Sequence, residues 1–376
     1  MNTRVVVLGA GTGGTLTANR LRASDRGDHL DITVVDQDTE HVYQPGLLFV
    51  PFGLATADDI VRSRPKQLHD GIDFIESPVD FVDVTGRTVT LANAQTLKYD
   101  VLVIATGATL APEETEGLAD GWGGNVHSFY TLESAEKLAG AMRAFEGGKV
   151  VVNVIDMPIK CPVAPLEFCF LADWFFQDRK MRQHVDLTFV TPLDGAFTKP
   201  VASERFASML ADRKINLVSE FNTGEVDRFD GKLVSYDDRE VPFDLAVVIP
   251  LHSGQDYVGR SEGLGDDLNF VPTNPNTLQS LADPAIFAIG DATALPVSKA
   301  GSVSHFEGDI MVENILRFID GRDLDASYDG HANCFIETGF GKAMLIDFNY
   351  EQEPVPGHYP AGVGLPLLKE DRKSVV

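Results

Sequence analysis

The sequence predicts an α/β fold on parallel sheets that begins with a dinucleotide-binding unit, with a cysteine-bearing segment near the C-terminus. Three observations predict it. A glycine-rich turn joins an apolar run to a helical pattern within the first twenty residues. Two later apolar runs end in Ala-Thr-Gly and in Gly-Asp. At 376 residues the length suits two to three domains of about 150 residues each.

Residues 4–8, RVVVL, read as a buried parallel strand, because a short β-branched run without alternation packs on both faces. Gly9, Gly11 and Gly14 then meet the GxGxxG spacing, with Gly13 between them, and a helical pattern follows from Leu16 to Leu21. The first glycine permits the tight turn and the second lets a pyrophosphate approach the backbone. The third lets helix and strand pack closely, with phosphates at the positive helix end. A second strand, 32–35, ends at Asp36, about 20 residues on, where a carboxylate would accept hydrogen bonds from a ribose.

Two segments then favour a flavin dinucleotide over a nicotinamide one. Residues 101–107 form an apolar strand closed by Ala-Thr106-Gly107, and residues 285–291 form another closed by Gly290-Asp291. In this order the three motifs resemble those of the two-dinucleotide-binding-domain flavoproteins, whose fold is tandem Rossmann-like. The resemblance implies FAD, with Thr106 and Gly107 near its phosphates and Asp291 on the ribityl chain. Val79 is a further expected cofactor contact.

In such proteins a second unit binds NAD(P)H through its own glycine turn. The matching strand here is 148–155, but the loop after it, Asp156 to Pro165, contains no glycine. Prolines fix its backbone and side chains stand where a pyrophosphate needs bare backbone. Electrons must therefore enter from something other than a nicotinamide. Cys161 closes this loop at the start of a predicted helix, 164–176. A helix N-terminus and the adjacent Lys160 would both lower a thiol's pKa.

Cys334 lies in a predicted strand–turn–strand near the C-terminus, far from Cys161 in sequence. The Cys-x-x-Ala-Pro loop, Cys161 to Pro165, and the Tyr-x-Gly…Cys segment, Tyr328 to Cys334, resemble those of the sulfide:quinone oxidoreductases. That resemblance implies that Cys161 and Cys334 hold sulfur between them on one face of the flavin, with Cys334 the thiol that attacks the ring. Sulfide would reduce FAD there, and the electrons would leave to a quinone, ubiquinone or menaquinone, in an apolar pocket on the other face. Phe335 would pack on the quinone or serve as strand core. Glu167, six residues after Cys161, would handle protons, its pKa raised by apolar neighbours. Lys299 would stand near the pyrimidine end of the flavin.

The sequence also departs from that family. No cysteine precedes Cys161, so FAD should be held noncovalently, and Cys169 reads as helix core. Gly195-Ala196 stands where some members have a histidine. His252 is either a proton relay or a structural histidine. The family sits in the membrane through C-terminal amphipathic helices, whereas this sequence ends at Lys373-Ser-Val-Val376 with no such helices in view. The apolar segments 46–54 and 166–176 could provide membrane contact or be buried.

Lys and Arg number 31 against 56 Asp and Glu, a net charge of −25, which argues against nucleic acid as a partner and for a solubilising surface. The expected organisation is a first FAD segment 1–110, an inserted second half 111–239, a second FAD segment 240–320 and a C-terminal segment 321–376. No internal repeat, signal peptide or metal site is expected. The expected location is peripheral, on the cytoplasmic side of a membrane, with homo-oligomer formation left open. Two alternatives remain within the same motifs: the flavin subunit of a sulfide dehydrogenase donating to cytochrome c, and a disulfide redox sensor that does not turn over. A type II NADH dehydrogenase would need the missing glycine turn.

Overall fold

The computed structural model describes residues 2–353 and the strand Leu367–Lys369. The first half is a parallel sheet of five strands, in the order Ile286–Ala288, Val101–Ile104, Thr3–Leu8, Leu30–Asp36, Ile72–Glu76. The apolar run of its central strand is buried on both faces, and alternate residues serve different cores. Val5 and Val7 pack with Ala18 and Leu21 of the helix Thr12–Ala23. Val6 and Leu8 pack on the other side with Leu102, Ile104 and Tyr257.

Because these strands run the same way, their carboxyl ends share one edge. The Gly9 amide donates to Val35 O at 2.7 Å, the Ala105 amide to Leu8 O at 2.8 Å, and the Ile289 amide to Ile104 O at 3.0 Å. Three motifs spread over nearly 300 residues of sequence are thereby brought side by side. This is the edge at which parallel α/β sheets bind ligands.

The second half repeats the plan although no repeat is visible in the sequence. Its parallel sheet has the order Val126–His127, Leu245–Ile249, Gly148–Val154, Val185–Val190, Asn216–Val218. Each half also carries a three-stranded antiparallel meander, over 79–98 in the first and 223–242 in the second. Leu245–Ile249 thus belongs to the second sheet, beyond the expected limit at 239. The chain returns to the first half only after Leu251–Ser253 pairs with Thr109–Ala111, the two strands that cross between halves.

Near the C-terminus Ala332–Glu337 and Lys342–Phe348 form an antiparallel hairpin in which Cys334 faces Ile346, and Leu367–Lys369 adds a third strand beside Lys342–Phe348. The hairpin lies against the helices Ala164–Asp178 and Gly301–Ile319. The two apolar segments with open alternatives are buried. Leu47, Leu48, Val50 and Phe52 are core, with Phe52 set against Phe168 at 4.9 Å between ring centroids, and Leu166 to Ala172 of the helix are fully enclosed. Most of their apolar surface is satisfied inside the molecule, while Leu54 is exposed and Phe49, Trp174 and Phe175 are half-buried. Among the described residues no helix is long and apolar enough to cross one. The end at Lys373 to Val376 lies outside the described residues.

Candidate active site

The glycine turn has the form a dinucleotide requires. Gly9 has φ of +95°, and a Cβ there would lie 2.4 Å from Ala105 O. A Cβ on Gly14 would lie 1.8 Å from Gly9 O, and one on Gly13 3.0 Å from the Ile289 side chain. Gly11 differs: a Cβ there would meet no protein atom within 4 Å. It caps the helix Thr12–Ala23 without a side-chain hydrogen bond, leaving bare amides facing open space. The residues therefore fit a pyrophosphate. Gly11→Ala should leave the melting temperature nearly unchanged while weakening flavin retention by about tenfold or more. Gly14→Ala should cost about 2–4 kcal/mol of stability, because its Cβ overlaps backbone. Thermal unfolding and flavin content after gel filtration separate the two.

Asp36 ends its strand as expected but is already engaged. Its carboxylate accepts from the Ala10 amide at 2.6 Å and pairs with Arg64 at 3.0 Å. Burial raises its pKa, opposed by the Ala10 amide and Arg64. Thr106 shares a hydrogen bond with Tyr257 at 3.1 Å, and Gly107, at φ +67°, borders open space. Gly290, also in the left-handed region, donates its amide to the buried Glu307 at 2.7 Å. Asp291 has its pKa raised by burial, opposed by Lys299 and Lys160. Val79 is half-buried beside Val35 in the second core. Lys299 is not an open cation. Its ammonium donates to Asp291 O at 2.9 Å and Thr293 O at 2.8 Å and lies 3.9 Å over the Phe270 ring, pinning the loop after Gly290.

The loop after Gly148–Val154 is fixed from several directions. Ile159 and Val163 are core. Cys161 adopts φ of 45°, a region that non-glycine residues seldom occupy. Its amide donates to Lys299 O at 2.6 Å, and its carbonyl accepts from the Ala164 amide at 2.9 Å and the Tyr130 hydroxyl at 3.3 Å. Lys160 turns away to Gln44, at 2.9 Å from its Oε1. The loop is therefore held between both halves.

The structure gathers Cys161, Cys334 and Glu167, and it corrects the expected electrostatics of the first. Burial pushes the Cys161 thiol well above its ordinary pKa, and the charges of Glu167 and Cys334 push the same way. The Ala164 amide at the helix start does pull it down, but desolvation wins. Cys334 is likewise pushed up to about 12, by burial and then by Glu167, with the Ser302 hydroxyl opposing. Both cysteines are free. Glu167 is 6% exposed, and burial raises its carboxyl to about 8. Its Oε1 accepts the Glu337 amide at 2.8 Å, tying the helix after Cys161 to the strand that bears Cys334. Cys169, by contrast, is fully buried core.

Three participants were not singled out in the sequence. Tyr130 holds the Cys161 carbonyl and meets the His252 ring edge-on at 5.4 Å between centroids. Ser302, in the first turn of its helix, donates to Asn333 O at 2.6 Å beside Cys334. Gln44 anchors Lys160 from the first half. Nothing local in the sequence marks them. His252 itself is buried, its Nδ1 2.9 Å from Pro250 O and its Nε2 without a partner among the described residues. Burial, then Lys160, lowers its pKa to about 3, so it is neutral. Phe335 is 47% exposed on the face of its strand opposite Cys334, not in a core.

Residues 3–153 match the family model described as pyridine nucleotide-disulphide oxidoreductase. The chain is 25% identical over 358 residues to the mitochondrial sulfide:quinone oxidoreductase of Mus musculus, covering 93% of this chain and 79% of that protein. To the corresponding protein of Schizosaccharomyces pombe it is 27% identical over 383 residues, covering 93% and 82%. Among solved structures, the sulfide:quinone oxidoreductase of Aquifex aeolicus superposes with a TM-score of 0.80 at 24% identity, over 92% of this chain and 84% of that one. The tandem dinucleotide-binding flavoprotein fold is thereby shared.

Proposed function

We propose that this chain, a homologue of the sulfide:quinone oxidoreductases, is an FAD-dependent enzyme that oxidises sulfide through Cys161 and Cys334 and delivers two electrons to a membrane quinone. One observation carries the reading. The loop that would bind a nicotinamide has instead become a pinned cysteine loop, and Glu167 ties it to the hairpin that brings Cys334. FAD is held noncovalently in this reading, by Gly9, Gly11, Gly13 and Gly14, with Asp36, Val79, Thr106, Gly107, Gly290 and Asp291 along its length and Lys299 fixing the last loop. Bound there, FAD supplies a two-electron acceptor next to the cysteines and a donor to the quinone.

The chain's own residues do the sulfur chemistry. In the oxidised pair, hydrosulfide attacks one sulfur of the Cys161–Cys334 bond. An S–S bond to the incoming sulfur forms as the cysteine–cysteine bond breaks, leaving a persulfide on one residue and a thiolate on the other. Glu167 takes the proton of the attacking hydrosulfide. The buried site disfavours negative charge on either cysteine, so the electron pair is driven out of the pair rather than stored as thiolate. Tyr130 and the Lys299 carbonyl keep Cys161 in place throughout. Overall, hydrosulfide, quinone and one proton become zero-valent sulfur and quinol. Phe335, half in solvent on the opposite strand face, borders the quinone, and the enzyme meets the membrane peripherally from the cytoplasmic side.

The test is an anaerobic titration of the yellow protein with sulfide and, separately, with NADH, followed by a soluble quinone. Bleaching by sulfide alone, reversed by quinone, is the expected result. Bleaching by NADH would overturn the reading of the second half. No bleaching by sulfide would leave a redox sensor as the better account.

A further inference from the structure

Beside the cysteine pair, on the other face of the same hairpin, is a histidine–carboxylate pair that the sulfur chemistry does not use. His331 Nε2 lies 3.0 Å from Asp347 Oδ1. Asp347 pairs directly with Asn333 across the hairpin, and residues opposite each other in an antiparallel pair share a face. Asp347 is therefore on the face of Asn333 and Phe335, whereas Cys334 is on the reverse. The His331 ring stacks on Phe306 at 4.1 Å between centroids, 19° from parallel. Its backbone is fixed as well, the amide donating to Asp329 at 3.0 Å and the carbonyl accepting from Tyr328 at 2.8 Å.

This is an expensive arrangement for a purely structural turn. Asp347 is 4% exposed, and its Oδ2 is buried without a hydrogen-bond partner among the described residues. The contact with Asp347 fixes the orientation of the ring, and histidine is the side chain suited to exchanging a proton near neutral pH. His331 keeps 14% of its side-chain surface, enough for contact with water.

We propose that the His331–Asp347 pair relays a proton to the quinone as it is reduced. The inference rests on the function proposed above and adds a proton donor on the acceptor side. Quinone reduction to quinol takes two electrons and two protons. Sulfide supplies the electron pair; one proton passes from the His331 imidazolium to a quinone oxygen, and the imidazole regains it from solvent. The other proton arrives with the electrons. Asp347 holds the ring in orientation and is a positioning residue.

The test bypasses sulfide. The flavin of the FAD-loaded protein is photoreduced anaerobically and its reoxidation by decylubiquinone is followed by absorbance. Reoxidation of the unmodified protein is expected. His331→Ala should slow it by about tenfold or more, and added imidazole should restore a several-fold part of the loss. Asp347→Asn, nearly isosteric, should slow it several-fold and enlarge the solvent deuterium isotope effect. Sulfide bleaching should be unchanged in both. Reoxidation at the unmodified rate in both variants would overturn the proposal. So would slowing without imidazole rescue and without a changed isotope effect, which would assign the pair to structure. If the unmodified protein is not reoxidised by quinone, the acceptor assignment itself fails and the relay with it. If it is reoxidised by quinone but not bleached by sulfide, the relay stands and the donor assignment falls.

Discussion

Cys161→Ser abolishes flavin bleaching by sulfide, with the rate falling by on the order of 10³-fold or more, while the protein stays yellow and photoreducible. The size follows from replacing the sulfur that must form and break an S–S bond with an oxygen that cannot. The protein keeps its flavin because Cys161 belongs to the second half, whereas the glycine turn and the strands that place it belong to the first. The hydroxyl is also close in size to the thiol, and the backbone around residue 161 is held by its own hydrogen bonds to Lys299, Ala164 and Tyr130. Cys334→Ser gives the same loss, since either partner alone cannot make the pair. Cys169→Ala gives no such loss, because that thiol is core and faces neither partner. Stopped-flow reduction at one sulfide concentration checks all three. A Cys161→Ser protein bleached at more than about a tenth of the normal rate would remove the pair from the mechanism.

The nucleotide end of this site was legible in sequence for a physical reason. Gly9, Gly11 and Gly14 act through the absence of a side chain at fixed spacing, and the strands at 4–8 and 101–104 are buried on both faces, so composition reports them. In the second half the sequence showed a strand with no glycine turn after it, and the structure pins that loop through the Cys161 amide to Lys299 O. The electrostatics were not legible. Cys161 at a helix start suggested a lowered pKa, and the expected helix is there at Ala164–Asp178. What sequence could not weigh was the desolvation of the thiol by burial, and the charges of Glu167 and of the distant Cys334 that the fold sets beside it. Ser302 and Gln44 were invisible for the same reason, each contributing one polar contact across a fold boundary. The second half's limit was missed because Leu245–Ile249, an apolar run, fits either sheet by composition and only topology assigns it.

Glu167→Gln slows sulfide reduction by about 10²-fold at pH 8 and removes an inflection near that pH, yet makes the protein more stable in alkali. Burial raises the Glu167 carboxyl from 4.5 to about 8 in the folded protein. Between those values the native state holds a proton that the unfolded chain has lost, so stability falls as pH rises through this window. The glutamine cannot ionise and still accepts the Glu337 amide through its own oxygen. Its gain relative to the unmodified protein therefore appears above pH 4.5, grows to a few kcal/mol, and levels off beyond pH 8. Glu307, also raised to about 8 by burial, keeps its own slope in both proteins and cancels in the comparison. Activity has the opposite sign. A base must be ionised to accept the hydrosulfide proton, so the glutamate enzyme speeds up as pH rises through about 8. Hydrosulfide ionisation affects both proteins alike and drops out of their ratio. Paired profiles of reduction rate and of urea midpoint from pH 5 to 9 measure both effects on one sample. A rate that falls through pH 8 in the unmodified protein alone would make Glu167 a proton donor to the leaving thiolate instead. A variant with unchanged rates but raised alkaline stability would reduce the residue to a strap between helix and hairpin. The same desolvation that makes this carboxyl useful near neutral pH is what destabilises the fold there.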